Sequence, residues 1–161
     1  MVVEAGSWHL GVSTPTFEAD TVAIAPGLRK DRWERVALSE SLQVPVVISH
    51  LMTSNEGHTS SWSRLAHLDP TGFDIALEEA SWDGHHAAEL CGWIAFEAGS
   101  TDAGAFSFAA GRSNIVGGTT NPTSISFGQT FASAPVVFAS VVSTHACCSD
   151  LGLRCDGDTS A

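Results

Sequence analysis

Arg64, Trp82 and Asp83 are the parts that recognition of a polyhydroxyl ligand needs. A guanidinium forks onto hydroxyl oxygens, an indole covers the apolar face of a pyranose, and a carboxylate accepts hydroxyl protons. The same residues have a structural use, with Arg64 in a salt bridge and Trp82 covering a sheet edge. His85, His86 and Glu89 form an H-H-x-x-E string close behind the Glu78-Glu79 pair. Imidazole and carboxylate together can hold a metal or move a proton. Residues three apart on a regular strand face opposite ways, so His86 and Glu89 would converge only in a loop or bulge. A hydrogen-bonded structural cluster is their simpler use. Glu78 and Glu79 also point to opposite faces, which argues against the pair of carboxyls about 5 Å apart that retaining glycoside hydrolysis requires. The chain has no H-E-x-x-H, no G-x-S-x-G and no phosphate-binding glycine loop. An enzyme is therefore not expected, nor is a cofactor, and no calcium-binding pattern is present.

The local code around these residues is strand and turn. Phe73, Ile75 and Leu77 alternate with Asp74, Ala76 and Glu78, the period of two of a half-buried strand. Pro45 opens the β-branched run Val46, Val47, Ile48, at the first strand position, where a missing N–H is tolerated. Residues 33–38 and 89–96 read as further strands, and Trp93 belongs to the core. Turn clusters separate them at 53–57, 69–72 and 81–84. Arg64 follows an exposed-looking loop, and Trp82 and Asp83 sit in the turn before the last strand of the unit. Residues 29–35 have some helical character but are too few for a helix. Strands at this spacing predict an all-β, antiparallel sandwich.

Charge and cysteine narrow the setting. The chain has 161 residues, one domain's worth, with 7 basic against 18 acidic side chains and a net charge of −11. Such a surface repels phosphate backbones and anionic lipid, so neither nucleic acid nor a polybasic membrane contact is expected. No apolar run is long enough to span a bilayer. The first residues lack the basic and apolar regions of a secretory signal, which leaves an intracellular chain or a mature piece of something longer. Cys91, in the apolar string Leu90-Cys-Gly-Trp-Ile94, reads as a buried free thiol. Cys147 and Cys148 are adjacent and unsuited to bond to each other, so pairing of one of them with Cys155 is the easier geometry.

The chain also repeats itself. Pro45-Val-Val-Ile-Ser and Pro135-Val-Val-Phe-Ala lie 90 residues apart, and Arg64 falls on Arg154 at the same offset. Glu4-Ala-Gly-Ser matches Glu97-Ala-Gly-Ser at an offset of 93, the small change being that of a short loop difference. One unit is thus expected over residues 1–99. A partial second copy is expected over 100–161, with strands at 124–127 and 135–142 and a Gly/Ser/Thr-rich linker around 109–123.

The string Arg64-Leu-Ala-His-Leu-Asp-Pro-Thr-Gly-Phe73, with Trp33 and Val36 before it, the Pro45-Val-Val run, Trp82 and the closing Gly92-Trp-Ile-Ala95, resembles the H-type lectin domain. The H-x-x-E before the last strand is more similar to tandem microbial and algal cell-surface versions. The resemblance implies a six-stranded antiparallel β-sandwich that trimerises and binds galactose or N-acetylgalactosamine at subunit boundaries, outside the cell or on its surface. It implies a sugar contact for Arg64, eight residues before Gly72, and for Trp82, with Asp83 where the snail agglutinin has a histidine. The expected partners are glycans and further copies of the chain. The alternative is a structural repeat of an extracellular fibre or coat, completed by strands from a neighbouring chain.

Overall fold

The computed structural model describes residues 4–9, 16–25, 33–55, 61–79, 87–102, 107–114 and 124–142. Among these the chain is all β, with antiparallel sheets and no helix. Nine strands follow in order: β1 (Gly6–His9), β2 (Thr16–Ile24), β3 (Glu34–Ala37), β4 (Pro45–Leu51), β5 (Ser61–Asp69), β6 (Gly72–Glu79), β7 (Glu89–Glu97), β8 (Gly99–Asp102) and β9 (Ser107–Ala110). One sheet has the order β1-β2-β7-β4, a second β3-β6-β5, and β8-β9 form a separate hairpin.

The two larger sheets pack face to face because their strands alternate. Cys91, Trp93 and Ala95 of β7 point inward with Val47 of β4 and Ile24 of β2; Phe73 and Ile75 of β6 meet them with Leu65 of β5 and Val36 of β3. Phe73 and Trp93 cross edge to face at 5.3 Å, the ring geometry favoured between apolar layers. Gly72 lets β6 pass the backbone of β3: a Cβ there would lie 2.1 Å from the Val36 carbonyl oxygen. Glutamates fasten loops to strand ends. Glu97 accepts the backbone N–H groups of Gln43 and Val44, and Glu18 accepts that of Ser39.

Seven strands build the two facing sheets where six were expected, because Gly6–His9 pairs along the free edge of β2. The alternating run at 73–78, the Pro45 run and the strands near 34 and 89 are as expected. The stretch at Arg64 differs: it lies inside β5 rather than after a loop. Polar Ser61 and Ser63 occupy the inward positions of β5 and conceal its alternation. Ala109 and Ala110, assigned to a linker, belong to β9. Residues 124–127 and 135–141 form no strand, since no neighbour pairs with them among the described residues; Val142 alone bridges to Leu65. Residues 26–32, the cysteines at 147, 148 and 155, and Arg154 lie outside the described residues. Among the described residues no helix is long and apolar enough to cross a membrane.

Candidate functional site

Arg64 stands on the outward face of β5, opposite Ala76 of β6. On the far side of β6, Glu34 pairs with Ile75, which brings Trp33 level with Ala76. The small Ala76 side chain lets the guanidinium reach across β6. Its centre lies 5.3 Å from the centroid of the Trp33 ring, and Nη1 is 3.5 Å from a carboxylate oxygen of Glu78. Stacking on an indole and pairing with a carboxylate both favour a guanidinium held out of water, and Arg64 is only 7% exposed. Trp62, two residues earlier on the same strand, shares this face by the period of two.

Beside this pair runs a hollow of about 180 Å³ at the open side of the sandwich, between β4 and β5. Arg64, Glu78, Trp62, Ser63, Ser49 and His50 line it, and residues 139–141 close one side. The Ser49 and Ser63 hydroxyls share a hydrogen bond of 2.8 Å. Guanidinium, carboxylate, hydroxyls and an indole together offer donors, acceptors and an apolar plate to a polyhydroxyl ligand.

The other end of the same face is fixed by a bulge between Ala66 and Asp69. His67 takes a left-handed conformation there (φ 46°), and its Nδ1 lies 2.8 Å from Asp74. Arg35 donates to Asp69 at 2.5 Å and to the His67 carbonyl at 3.1 Å. Asp69 in turn accepts the Thr71 hydroxyl and backbone N–H. These two bonds, followed by Arg35, lower its pKa to about 2. The Trp33 ring meets His67 edge-on at 6.2 Å, so Trp33 is held between this network and Arg64.

Of the residues singled out by sequence, Arg64 lies at the hollow, whereas Trp82, Asp83 and His86 lie outside the described residues. Glu89 does not line this hollow. It is 1% exposed at the start of β7, accepting the Asn55 N–H at 2.7 Å and the Thr53 hydroxyl. Thr53 Oγ1 accepts the Leu90 N–H, and the Asn55 side chain donates to the Ala88 carbonyl, so Glu89 anchors the 53–55 loop. No group of three His, Cys, Asp or Glu side chains suited to a metal occurs among the described residues. Cys91 is a buried free thiol that donates to the His50 carbonyl, and burial raises its pKa to about 11. Trp62 and the roles of Trp33 and Glu78 were missed. The position of Trp62, two before Arg64, was the available signal, once that stretch is read as a strand.

No protein-family model matches the chain, and no solved structure matches it. Over 163 aligned positions, 99% of the chain, it is 29% identical to Halomucin of Haloquadratum walsbyi (strain DSM 16790 / HBSQ001) and spans about 2% of that protein's length.

Proposed function

We propose that this chain is a non-catalytic carbohydrate-binding module of the H-type lectin kind, taking galactose or N-acetylgalactosamine groups of glycans outside the cell or on its surface. The observation that carries the reading is Arg64, seated on the Trp33 ring and paired with Glu78 beside a hollow lined by Trp62 and serine hydroxyls. Two further features support it. The two facing antiparallel sheets fit the β-sandwich that the family resemblance implies. The similarity to a halomucin, a mucin by name, fits an extracellular setting. Trp82 and Asp83 complete the sugar contact in this reading, and the module assembles as a trimer.

Titration with N-acetylgalactosamine and with galactose, followed by tryptophan fluorescence, tests it. Such shallow sites bind in the millimolar range, about −4 kcal/mol. A saturable change that is lost in Arg64→Ala, with the fold retained by circular dichroism, is the expected result. A flat response up to tens of millimolar, on the order of ten times that range, rejects it.

A second reading, a structural repeat that assembles through strands, is favoured by a separate observation. Val136, Val137 and Phe138 are 82%, 44% and 54% exposed in a contiguous segment outside any strand. Soluble monomers seldom leave such a row of apolar side chains uncovered.

A further inference from the structure

β4 and β5 are edge strands of the two facing sheets, and both border the hollow that holds Arg64. The chain itself lies across that opening. The Ser140 hydroxyl accepts the Ser49 N–H at 3.1 Å and donates to the Ser49 carbonyl oxygen at 3.5 Å. In an antiparallel ladder a residue's N–H and C=O point to the same side, so those of Ser49 face away from β7. A hydroxyl both donates and accepts, and Ser140 therefore stands in for a neighbouring strand at this one position. Two residues on, Val142 bridges in parallel to Leu65 of β5. Residues 139–142 thus join the edge of one sheet to the edge of the other. Ala139, Ser140 and Val141 form a wall of the hollow.

This strap is lightly held. Residues 132–139 are exposed, and burial resumes only at Ser140. Beneath it lie serine hydroxyls, with those of Ser49 and Ser63 bonded to each other at 2.8 Å, so lifting the strap bares polar groups. Segments with few buried apolar contacts open locally at far smaller cost than global unfolding. One neutral hydrogen bond of ordinary net strength changes such an opening equilibrium about fivefold. Size points the same way. With the strap seated the hollow holds about 180 Å³, below the about 300–1,000 Å³ of pockets that enclose a drug-sized ligand. That leaves room for one small ring.

We infer that residues 139–142 are a gate on the hollow, latched to Ser49 by the Ser140 hydroxyl. Seated, the strap confines the hollow to a single sugar ring. Lifted, it admits the adjoining rings of an oligosaccharide along the edges of β4 and β5. The Ser140 hydroxyl holds the place that a ligand hydroxyl then takes on the Ser49 N–H and C=O. Apparent affinity for the larger ligand is reduced by the fraction of chains in which the strap is lifted. This deepens the carbohydrate reading and rests on it for the ligand, whereas the latch is read without any sugar.

The test uses the full chain with Ser140→Ala, which removes the latch, and Ser140→Thr, which keeps a hydroxyl. Amide hydrogen exchange at Ser49 should be about fivefold faster in Ser140→Ala and near the wild-type rate in Ser140→Thr. Titrations with galactose and with a galactose tetrasaccharide, followed by tryptophan fluorescence, read the gate. Relative to galactose, Ser140→Ala should bind the tetrasaccharide about fivefold more tightly than the wild type does, and Ser140→Thr should not. Unchanged exchange at Ser49 in Ser140→Ala overturns the latch. An unchanged ratio of the two affinities overturns the gate and leaves the carbohydrate reading standing. A missing response to both sugars in all three proteins rejects the carbohydrate reading and the gate with it.

Discussion

Glu89 offers the sharpest test of how this sandwich is held, because two uses of its carboxylate predict different outcomes. It is 1% exposed and accepts the Thr53 hydroxyl and the Asn55 N–H, while Thr53 in turn accepts the Leu90 N–H. A hydrogen bond to a charged acceptor contributes about 1.5–3 kcal/mol, so two would total about 3–6 kcal/mol. Removing the carboxylate also relieves the cost of keeping it from water, which offsets part of that sum. Glu89→Ala should therefore destabilise the fold by about 3 kcal/mol. Glu89→Gln keeps one acceptor oxygen for Asn55 and presents an amide to Thr53, so about half the loss is expected. Urea unfolding followed by tryptophan fluorescence measures both, with the slope unchanged and the midpoint lowered in the order wild type, Gln, Ala. Equal midpoints for all three proteins refute the anchoring role. A wild-type midpoint that falls on addition of EDTA would instead return Glu89 to a metal site with His86.

Three further outcomes follow from the geometry and charge. Gly72→Ala forces a Cβ to within 2.1 Å of a backbone oxygen and should cost about 3 kcal/mol or more in thermal or urea unfolding, whereas Gly111→Ala, with open space around it, should stay within about 0.5 kcal/mol. Asp69 has its pKa lowered from 3.8 to about 2 in the folded chain, so its contribution to stability is full above the ordinary value and disappears as pH falls through about 2. The stability gap between wild type and Asp69→Asn should accordingly narrow to nothing across that window, and a gap independent of pH would contradict the assignment. With 18 acidic against 7 basic residues, raising salt from about 0.1 M to about 1 M shortens the screening length from about 10 Å to about 3 Å and weakens the self-repulsion of the folded state. The melting temperature should rise with sodium chloride, and a flat or falling curve would show that attractive pairs such as Arg35–Asp69 outweigh the repulsion.

Much of the architecture is local in origin and so is written in the sequence. The alternation of Phe73, Ile75 and Leu77, the apolar string around Cys91 and Trp93, and the proline opening β4 each follow from backbone geometry and the side chain's preference for water or core. The recurrence of Glu-Ala-Gly-Ser was visible, but the hairpin that each glycine opens, near φ 150° in both, was not, because a hairpin needs its returning strand and the second of these lay in the expected linker. The site was legible only in part. Arg64 is conspicuous by type, yet its partners Trp33 and Glu78 reach it only because β6 runs between β3 and β5, a pairing between segments far apart in the chain. Glu89 looked like a neighbour of His86, but its acceptor bonds go to residues 34 and 36 positions away. The most instructive difference is between Pro45-Val-Val and Pro135-Val-Val, nearly identical strings of which only the first is a strand. A strand's hydrogen bonds and the burial of its inward side chains come from its neighbours, and β7 lies beside the first string alone.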